Sequence, residues 1–194
     1  MQIHYFQRYH SKENVATANT MLMLSRLYNY SSDKFFSMLN EYILDFSPNN
    51  NPEIKFELQK VSAKSVPDAV ISQSSFKIVV ETKLYGQFYM QQLENHLYEF
   101  KSEDTQLLLT LDPSPIDYST QETISHLLDN HNKTHHQNIH HRHLTFKDLI
   151  EYIEAIIDPR DTDILSVFED FKNYCISDNL IPNSYKWLRA VASS

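Results

Sequence analysis

The spacing of apolar residues changes near residue 50, and this change limits the chain to folds that combine helices with a sheet. Residues 13–30 and 33–46 carry apolar side chains three and four positions apart, which predicts two helices. Asp33 is placed to cap the second helix, and Pro48 with the asparagines after it ends that helix. Between residues 53–61 polar and apolar side chains alternate, which predicts a strand with one buried face.

Two more strands follow, and together they predict a hairpin. Residues 67–72 form the first strand, and a polar stretch at 73–75 turns the chain into residues 76–83, which are rich in β-branched side chains. A helix is expected over 87–101. The nearly continuous apolar run at 105–111 suits a strand that is covered on both faces. The first 111 residues therefore predict the order α-α-β-β-β-α-β.

The rest of the chain predicts mainly helices. The predicted elements are a short helix at 120–130, a polar loop at 131–138, a strand at 140–144, a helix at 146–157 capped by Thr145, and helices near 162–178 and 183–191. We expect an α/β fold in which helices flank a mixed central β-sheet, with 1–194 as a single domain and 112–194 as a C-terminal helical extension. The last helices, with Trp187, either complete the core or form a dimer contact, which leaves a homodimer open.

Composition excludes several classes of protein. The single glycine, Gly86, rules out a Rossmann loop and a P-loop, since both need several glycines. A formal net charge of −8 argues against a protein that coats nucleic acid by charge alone, although it is compatible with a locally basic face. One cysteine, Cys175, allows no disulfide within the chain, and the first 14 residues lack an apolar signal core. With no apolar run of about 18 residues either, we expect a cytoplasmic protein.

The predicted hairpin carries the most informative polar residues. Asp68 opens its first strand, while Glu81 and Lys83 lie two residues apart on the second strand and project from one face. Counting back from the turn places Asp68 beside the 80–83 end of the partner strand. Two carboxylates and an amine would then meet among apolar neighbours. The competing interpretation is an ordinary edge hairpin, on which Glu81 and Lys83 form a solvated charge pair of little energetic value.

The chemistry of this set points to a divalent cation, because two adjacent carboxylates repel each other unless a cation neutralises them. Mg²⁺ or Mn²⁺ suits the site, since a hard cation accepts one or two carboxylates together with a phosphate oxygen. Asp68 and Glu81 would hold the metal, and the backbone carbonyl of Thr82 could add an oxygen ligand. Lys83 would orient a metal-activated water or stabilise the transition state. The set predicts metal-assisted hydrolysis of a phosphodiester.

Pro67-Asp68 followed by Glu81-Thr82-Lys83 on a hairpin resembles the PD-(D/E)xK nuclease superfamily. The resemblance implies a restriction-endonuclease-like αβββαβ core in the first 111 residues. By the same resemblance Asp68 and Glu81 are metal ligands, and Lys83 is the catalytic lysine.

Similarity to Holliday-junction resolvases and RecB-like exonucleases implies two further roles. Glu13, at the start of the first helix, would join the metal site, where the alternative is a carboxylate favoured by the helix dipole. Gln92 would supply the glutamine of a Q-x-x-x-Y motif in the active site, although His96 stands in place of the tyrosine. Gln91 is the other match to that glutamine, and a plain surface glutamine is the competing interpretation.

The resemblance implies a magnesium-dependent nuclease, with DNA favoured over RNA because most of the superfamily cuts DNA. Small stand-alone members act in restriction, repair, recombination or defence against phage. The alternative function is a catalytically inactive nucleic-acid-binding or assembly module on the same fold.

A histidine-rich segment raises a second metal hypothesis. A zinc site needs three or four ligands at set spacing, and the histidine pairs four residues apart fall in the predicted loop. We favour a polar loop that leads into a strand over a zinc site. An intermediate interpretation is that these side chains, with Lys133 and Arg142, form a weakly basic surface that faces phosphates. The six histidines are His131, His135, His136, His140, His141 and His143.

Overall fold

The structure is a computed structural model that describes residues 12–44, 53–59 and 65–182. The predicted helix at 183–191 and the predicted helix end at Pro48 lie outside these residues. The helices are α1 Lys12–Tyr30, α2 Ser32–Met38 with a π-helical turn at Leu39–Ile43, α3 Met90–Leu97, α4 Tyr118–His135, α5 Phe146–Ile156 and α6 Thr162–Ser177. The strands are β1 Lys55–Leu58, β2 Ala69–Ser72, β3 Phe76–Thr82, β4 Thr105–Asp112 and β5 Ile139–Thr145.

The described strands form one mixed sheet in the order β1-β2-β3-β4-β5. The pairs β1–β2 and β2–β3 are antiparallel, whereas β3–β4 and β4–β5 are parallel. Parallel neighbours need a crossover connection, and α3 and α4 provide the two crossovers. This architecture confirms the expected α/β fold with a mixed central sheet.

The register of the sheet determines which polar residues can meet. β2 and β3 pair as far as Ala69 opposite Val80, and one further step sets Asp68 beside Glu81. On the parallel side, Glu81 is the register partner of Thr110 in β4. Glu81 therefore lies in the middle of a polar row at the carboxyl end of β3.

The sheet separates two hydrophobic cores, so β3 is buried on both faces. On one face Ile78 and Val80 pack with apolar residues of α1, α2, α5 and α6. On the other face Val79 packs with residues of α3 and α4. The double burial explains the uninterrupted apolar run before Glu81 and removes Glu81 from solvent. None of the described helices combines the length and hydrophobicity that a membrane crossing requires.

Helix α4 is longer than the sequence predicts, and the expected loop at 131–138 is wrong in its first half. The helix continues to His135, and the next residue ends it with a φ of 53°. Ile124, Leu128 and His131 continue one buried stripe at helical spacing. The opposite face is polar and exposed, and its composition is what suggested a loop.

The other predicted elements within the described residues are confirmed with shifted ends, but the predicted cap of α2 at Asp33 is wrong, because Ser31 caps this helix by accepting a hydrogen bond from Lys34 N–H. The largest differences are a strand of Lys55–Leu58 within 53–61 and a helix of Met90–Leu97 within 87–101.

Helix α5 begins with a capping box, in which the side chains of Thr145 and Asp148 each accept a hydrogen bond from the other residue's backbone N–H. We expect Thr145→Ala to lower the free energy of unfolding by about 1 kcal/mol, because Asp148 N–H loses its acceptor at the start of the helix. Urea denaturation followed by circular dichroism measures the change. Thr134→Ala, on the exposed face of α4, is the matched control and should change stability by less than about 0.5 kcal/mol. Equal stability of Thr145→Ala and wild type would contradict the prediction.

Candidate active site

The hairpin brings Asp68, Glu81 and Lys83 together at the end of β3. Asp68 Oδ2 accepts a hydrogen bond from the backbone N–H of Thr82 at 2.8 Å. Lys83 Nζ lies 2.6 Å from Glu81 Oε1, and both side chains are almost fully removed from solvent. A solvated charge pair is therefore the wrong description of Glu81 and Lys83. Three ionisable side chains converge at the carboxyl end of β3, as the hairpin geometry predicted.

The surroundings of Asp68 favour the neutral form of its carboxyl group. Burial raises the pKa of Asp68 from an ordinary 3.8 to about 6, and the negative charges of Glu81 and Glu13 act in the same direction. The Thr82 N–H and the Lys83 charge oppose this rise without cancelling it. A carboxylate under such unfavourable conditions would be stabilised by a cation beside it.

Lys83 keeps its positive charge in spite of its burial. Burial by itself would lower the pKa of the amine, but the hydrogen bond to Glu81 and the charges of Glu81, Glu13 and Asp68 raise it above its usual value. The backbone N–H of Lys83 donates to Leu111 O at 2.8 Å, which attaches this residue to β4. An ammonium group is thus fixed where negative charge is concentrated.

Helix α1 is anchored next to the site, on the face of β3 that carries the Thr82 side chain. The Thr17 hydroxyl is hydrogen-bonded to the Thr82 hydroxyl at 2.8 Å and to Glu13 O at 3.0 Å. Glu13 is half-buried in the first turn, and its charge contributes to raising the pKa of Asp68. Glu13 therefore lies within electrostatic reach of Asp68, as the resemblance implies for a fourth site residue.

A buried histidine completes the surroundings of Glu81. His96 Nε2, on α3, donates to Glu81 Oε2 at 2.8 Å, while Lys83 occupies the other carboxylate oxygen. His96 Nδ1 is hydrogen-bonded to the Ser65 hydroxyl. Glu81 is 0% exposed and His96 is 1% exposed, so neither side chain has water as an alternative partner. The sequence carries one signal for this contact. His96 stands at the tyrosine position of the Q-x-x-x-Y motif, four residues after Gln92 and on the same side of the helix.

Gln92 makes no comparable contact. Its side chain is half-buried on α3 and forms no hydrogen bond with any residue that the structure describes. Gln91, the other match to the motif, is exposed, and its amide nitrogen donates to Glu94 at 3.1 Å. Along the described length of α3, His96 is the residue whose side chain is hydrogen-bonded to Glu81.

Asp112, which belongs to no motif in the sequence, ends β4 beside this site. Its two oxygens accept hydrogen bonds from Tyr85 N at 3.1 Å and from Ser114 N at 2.8 Å. Burial raises the pKa of Asp112, and the charge of Glu13 adds to that effect. Asp112 joins the loops that follow β3 and β4, so it shapes the rim of the site.

The clustered histidines do not surround a common point. His131 and His135 lie one turn apart on α4, with ring centroids separated by 4.3 Å. His141 and His143 on β5 are both hydrogen-bonded to the Thr110 hydroxyl, at 2.9 and 3.0 Å. Within residues 12–44, 53–59 and 65–182, no three His, Cys, Asp or Glu side chains are arranged to hold a metal ion by themselves. The zinc hypothesis therefore has no geometric support.

Three of these histidines are held toward the neutral form by burial. Burial lowers the pKa of His141 to about 4, and the neighbouring His143 contributes to that shift. Burial also lowers the pKa of His143 and of His131. The Arg142 guanidinium makes one hydrogen bond of its own, in which Nη2 donates to Tyr42 O at 3.2 Å. The weakly basic surface considered for this segment therefore has its charge on Lys133, which is exposed on α4, and on Arg142, and not on these three histidines.

Two cavities adjoin the site. Asp68 lines a cavity of about 200 Å³ together with residues of α1 and of the end of β1, and its Oδ1 forms no hydrogen bond with any described residue. A second cavity, of about 480 Å³, is formed by the loops after β3 and β4, including Tyr85, Phe88 and Asp112. A Cβ at Gly86, in its wall, would lie 3.8 Å from Lys83 Cδ. The first cavity has room for a hydrated cation, and the second has the size of a small-ligand site.

No protein-family model, curated protein or solved structure matches the chain at a significant level. The evidence for a function therefore consists of the chemistry and geometry of these residues.

Asp68→Asn should stabilise the metal-free protein at pH 7. Asparagine keeps an oxygen for the Thr82 N–H and removes a charge that is unfavourable in the fold. The pKa of Asp68 rises from 3.8 to about 6. We therefore expect the free energy of unfolding of Asp68→Asn to exceed that of wild type by about 1 to 3 kcal/mol.

The sign of the pH dependence tests the cause. The folded wild type holds the Asp68 proton more tightly than the unfolded chain, so this group makes stability fall as pH rises from 3.8 to about 6. The advantage of Asp68→Asn over wild type should therefore be absent at the lower pH and complete above the higher one. Denaturation in EDTA across this range measures it, and a variant less stable than wild type at pH 7 would refute the explanation.

Proposed function

We propose that this chain is a metal-dependent nuclease of the PD-(D/E)xK kind, which hydrolyses phosphodiester bonds with the help of Mg²⁺ or Mn²⁺. The observation that carries the proposal is the convergence of Asp68, Glu81 and Lys83 at the carboxyl end of β3. Strand ends of this kind are the usual location of ligand sites in open α/β sheets. The order of α1, β1, β2, β3, α3 and β4 also supports the proposal, because it contains the αβββαβ order that the resemblance implies, with α2 as an additional helix between α1 and β1.

The donor set fits a hard divalent cation. Asp68 and Glu81 supply carboxylate oxygens, the backbone carbonyl of Thr82 lies between the residues that carry the charges, and a cavity opens at Asp68. Mg²⁺ is commonly bound through one or two carboxylates, with waters and substrate phosphate filling the other positions. A two-carboxylate site is consistent with the absence of a three-ligand cluster among the described residues. Glu13 would join the metal site through a bound water.

When bound, the cation would lower the pKa of a water ligand and offset the charge of the phosphate. Lys83 would hold its ammonium group next to the reacting phosphate, where it can orient the water and stabilise negative charge in the transition state. The raised pKa of Lys83 keeps it protonated for this role. Gln92 remains a predicted member of the site. DNA is favoured over RNA as the substrate.

Lys83→Ala should abolish most of the cleavage. Purified wild type is incubated with plasmid, single-stranded DNA and single-stranded RNA, with Mg²⁺, with Mn²⁺ and with EDTA. We expect metal-dependent cleavage, and a decrease on the order of 10²-fold or more in rate for Lys83→Ala because the transition state loses its cation. Lys147→Ala, an exposed lysine on α5, is the matched control and should cut like wild type.

The alternative function is a catalytically inactive binding or assembly module. Metal-independent binding of nucleic acid without cleavage of any of the three substrates would favour that module and reject the nuclease. Equal cleavage by wild type and Lys83→Ala would instead indicate a contaminating nuclease.

Metal binding should stabilise the folded state. A ligand that binds the native protein at a hundredfold excess over its Kd adds about 2.7 kcal/mol to the free energy of unfolding. We therefore expect Mg²⁺ or Mn²⁺ to raise the Tm of wild type measured by calorimetry. Asp68→Asn, which loses a ligand charge, should show a much smaller rise. An equal rise in both proteins would place the metal elsewhere.

A further inference from the structure

We propose that His96 and Ser65 are positioning residues, which hold the Glu81 carboxylate in the orientation needed to bind the metal. The proposal rests on the proposed function. His96 stands at the tyrosine position of the Q-x-x-x-Y motif without matching it, and Ser65 belongs to no motif. The observation behind it is a continuous hydrogen-bonded chain from Ser65 Oγ through both nitrogens of His96 to Glu81 Oε2.

The direction of the hydrogen bonds in this chain follows from the donors available. A carboxylate oxygen can only accept, so His96 Nε2 carries the proton and donates to Glu81. In the neutral imidazole Nδ1 is then an acceptor, and the Ser65 hydroxyl donates to it. Ser65 thus selects the tautomer that Glu81 requires.

The ring of His96 has little freedom to move. His96 is on α3, whose Leu93 and Leu97 are fully buried in the smaller core with Val79 of β3. The ring is itself 1% exposed. Because α3 and β3 pack through this core, the position of the imidazole relative to Glu81 is set by the fold and not by a flexible side chain.

Glu81 gains a defined orientation from this contact. A glutamate has three rotatable side-chain bonds, and Lys83 constrains only its Oε1. With His96 on Oε2, any rotation of the carboxylate breaks a buried hydrogen bond that water cannot replace. Residues that orient metal ligands in this manner are commonly worth about 10- to 100-fold in metal affinity or activity.

The order serine, histidine and glutamate also occurs in hydrolases with a serine nucleophile, which makes a second interpretation necessary. A nucleophile must reach its substrate, but Ser65 is buried. A serine-reactive fluorophosphonate probe separates the two interpretations, because only a nucleophilic Ser65 would be labelled.

The decisive experiment is the Mn²⁺ affinity of His96 variants, measured by electron paramagnetic resonance of free Mn²⁺ in the absence of nucleic acid. His96→Leu removes the donor at similar volume and should weaken Mn²⁺ binding by about 10- to 100-fold. His96→Gln places an amide N–H near the former Nε2 and should restore most of the affinity. In cleavage assays His96→Leu should lower kcat while leaving the KM for DNA close to the wild-type value. His126→Leu and His126→Gln, at an exposed histidine on α4, are the matched controls.

Several outcomes would overturn the proposal. One is a folded His96→Leu with wild-type Mn²⁺ affinity, and another is an equal loss in the Leu and Gln variants, which would indicate packing alone. Labelling of Ser65 by the probe is a third. If His96→Leu does not fold, Ser65→Ala decides, with a smaller loss of Mn²⁺ affinity expected and no loss contradicting the proposal. A wild type that binds Mn²⁺ but cuts nothing would reject the nuclease and still allow this comparison, whereas a wild type that binds no Mn²⁺ would reject both.

Discussion

The Glu81 carboxylate lies fully buried in the sheet, with Lys83 on one oxygen and His96 on the other. An isolated charge at this depth would destabilise the fold by several kcal/mol. The fold can therefore bury the Glu81 carboxylate at the end of β3 only with both donors beside it. Each donor belongs to a segment that must then be in place, namely the loop after β3 and helix α3. One buried carboxylate therefore couples the β2–β3 hairpin, the parallel pair β3–β4 and the crossover helix α3.

The charge around this carboxylate is only partly balanced. Burial and the neighbouring acids favour the neutral form of Asp68, while Lys83 is the nearby cation that opposes them. The site is therefore destabilised locally, a pattern found where a protein retains groups for function at the expense of stability. Under the proposed function, a divalent cation at Asp68 would offset this imbalance. A formal net charge of −8 over the whole chain does not conflict with that requirement, because the requirement is local.

Much of the site could be predicted because its spacing is local. Asp68 and Glu81 lie on two strands joined by a short turn, and the period of two along a strand places Lys83 on the same face as Glu81. The helices and strands of the core follow from apolar periodicity in the same manner. Composition was a poorer guide, since the polar face of α4 concealed the buried stripe that ends at His131.

The sequence by itself determined the alternation of helices with strands and the meeting of Asp68, Glu81 and Lys83. Only the tertiary structure decided that His96 would be hydrogen-bonded to Glu81 and Ser65 to His96, and that Asp112 would border the site. These contacts join segments that are separated along the chain and come together when helices pack on the sheet. Sequence periodicity specifies which face of an element is buried, but the partner of a buried polar group depends on the packing of whole elements, which no local pattern records.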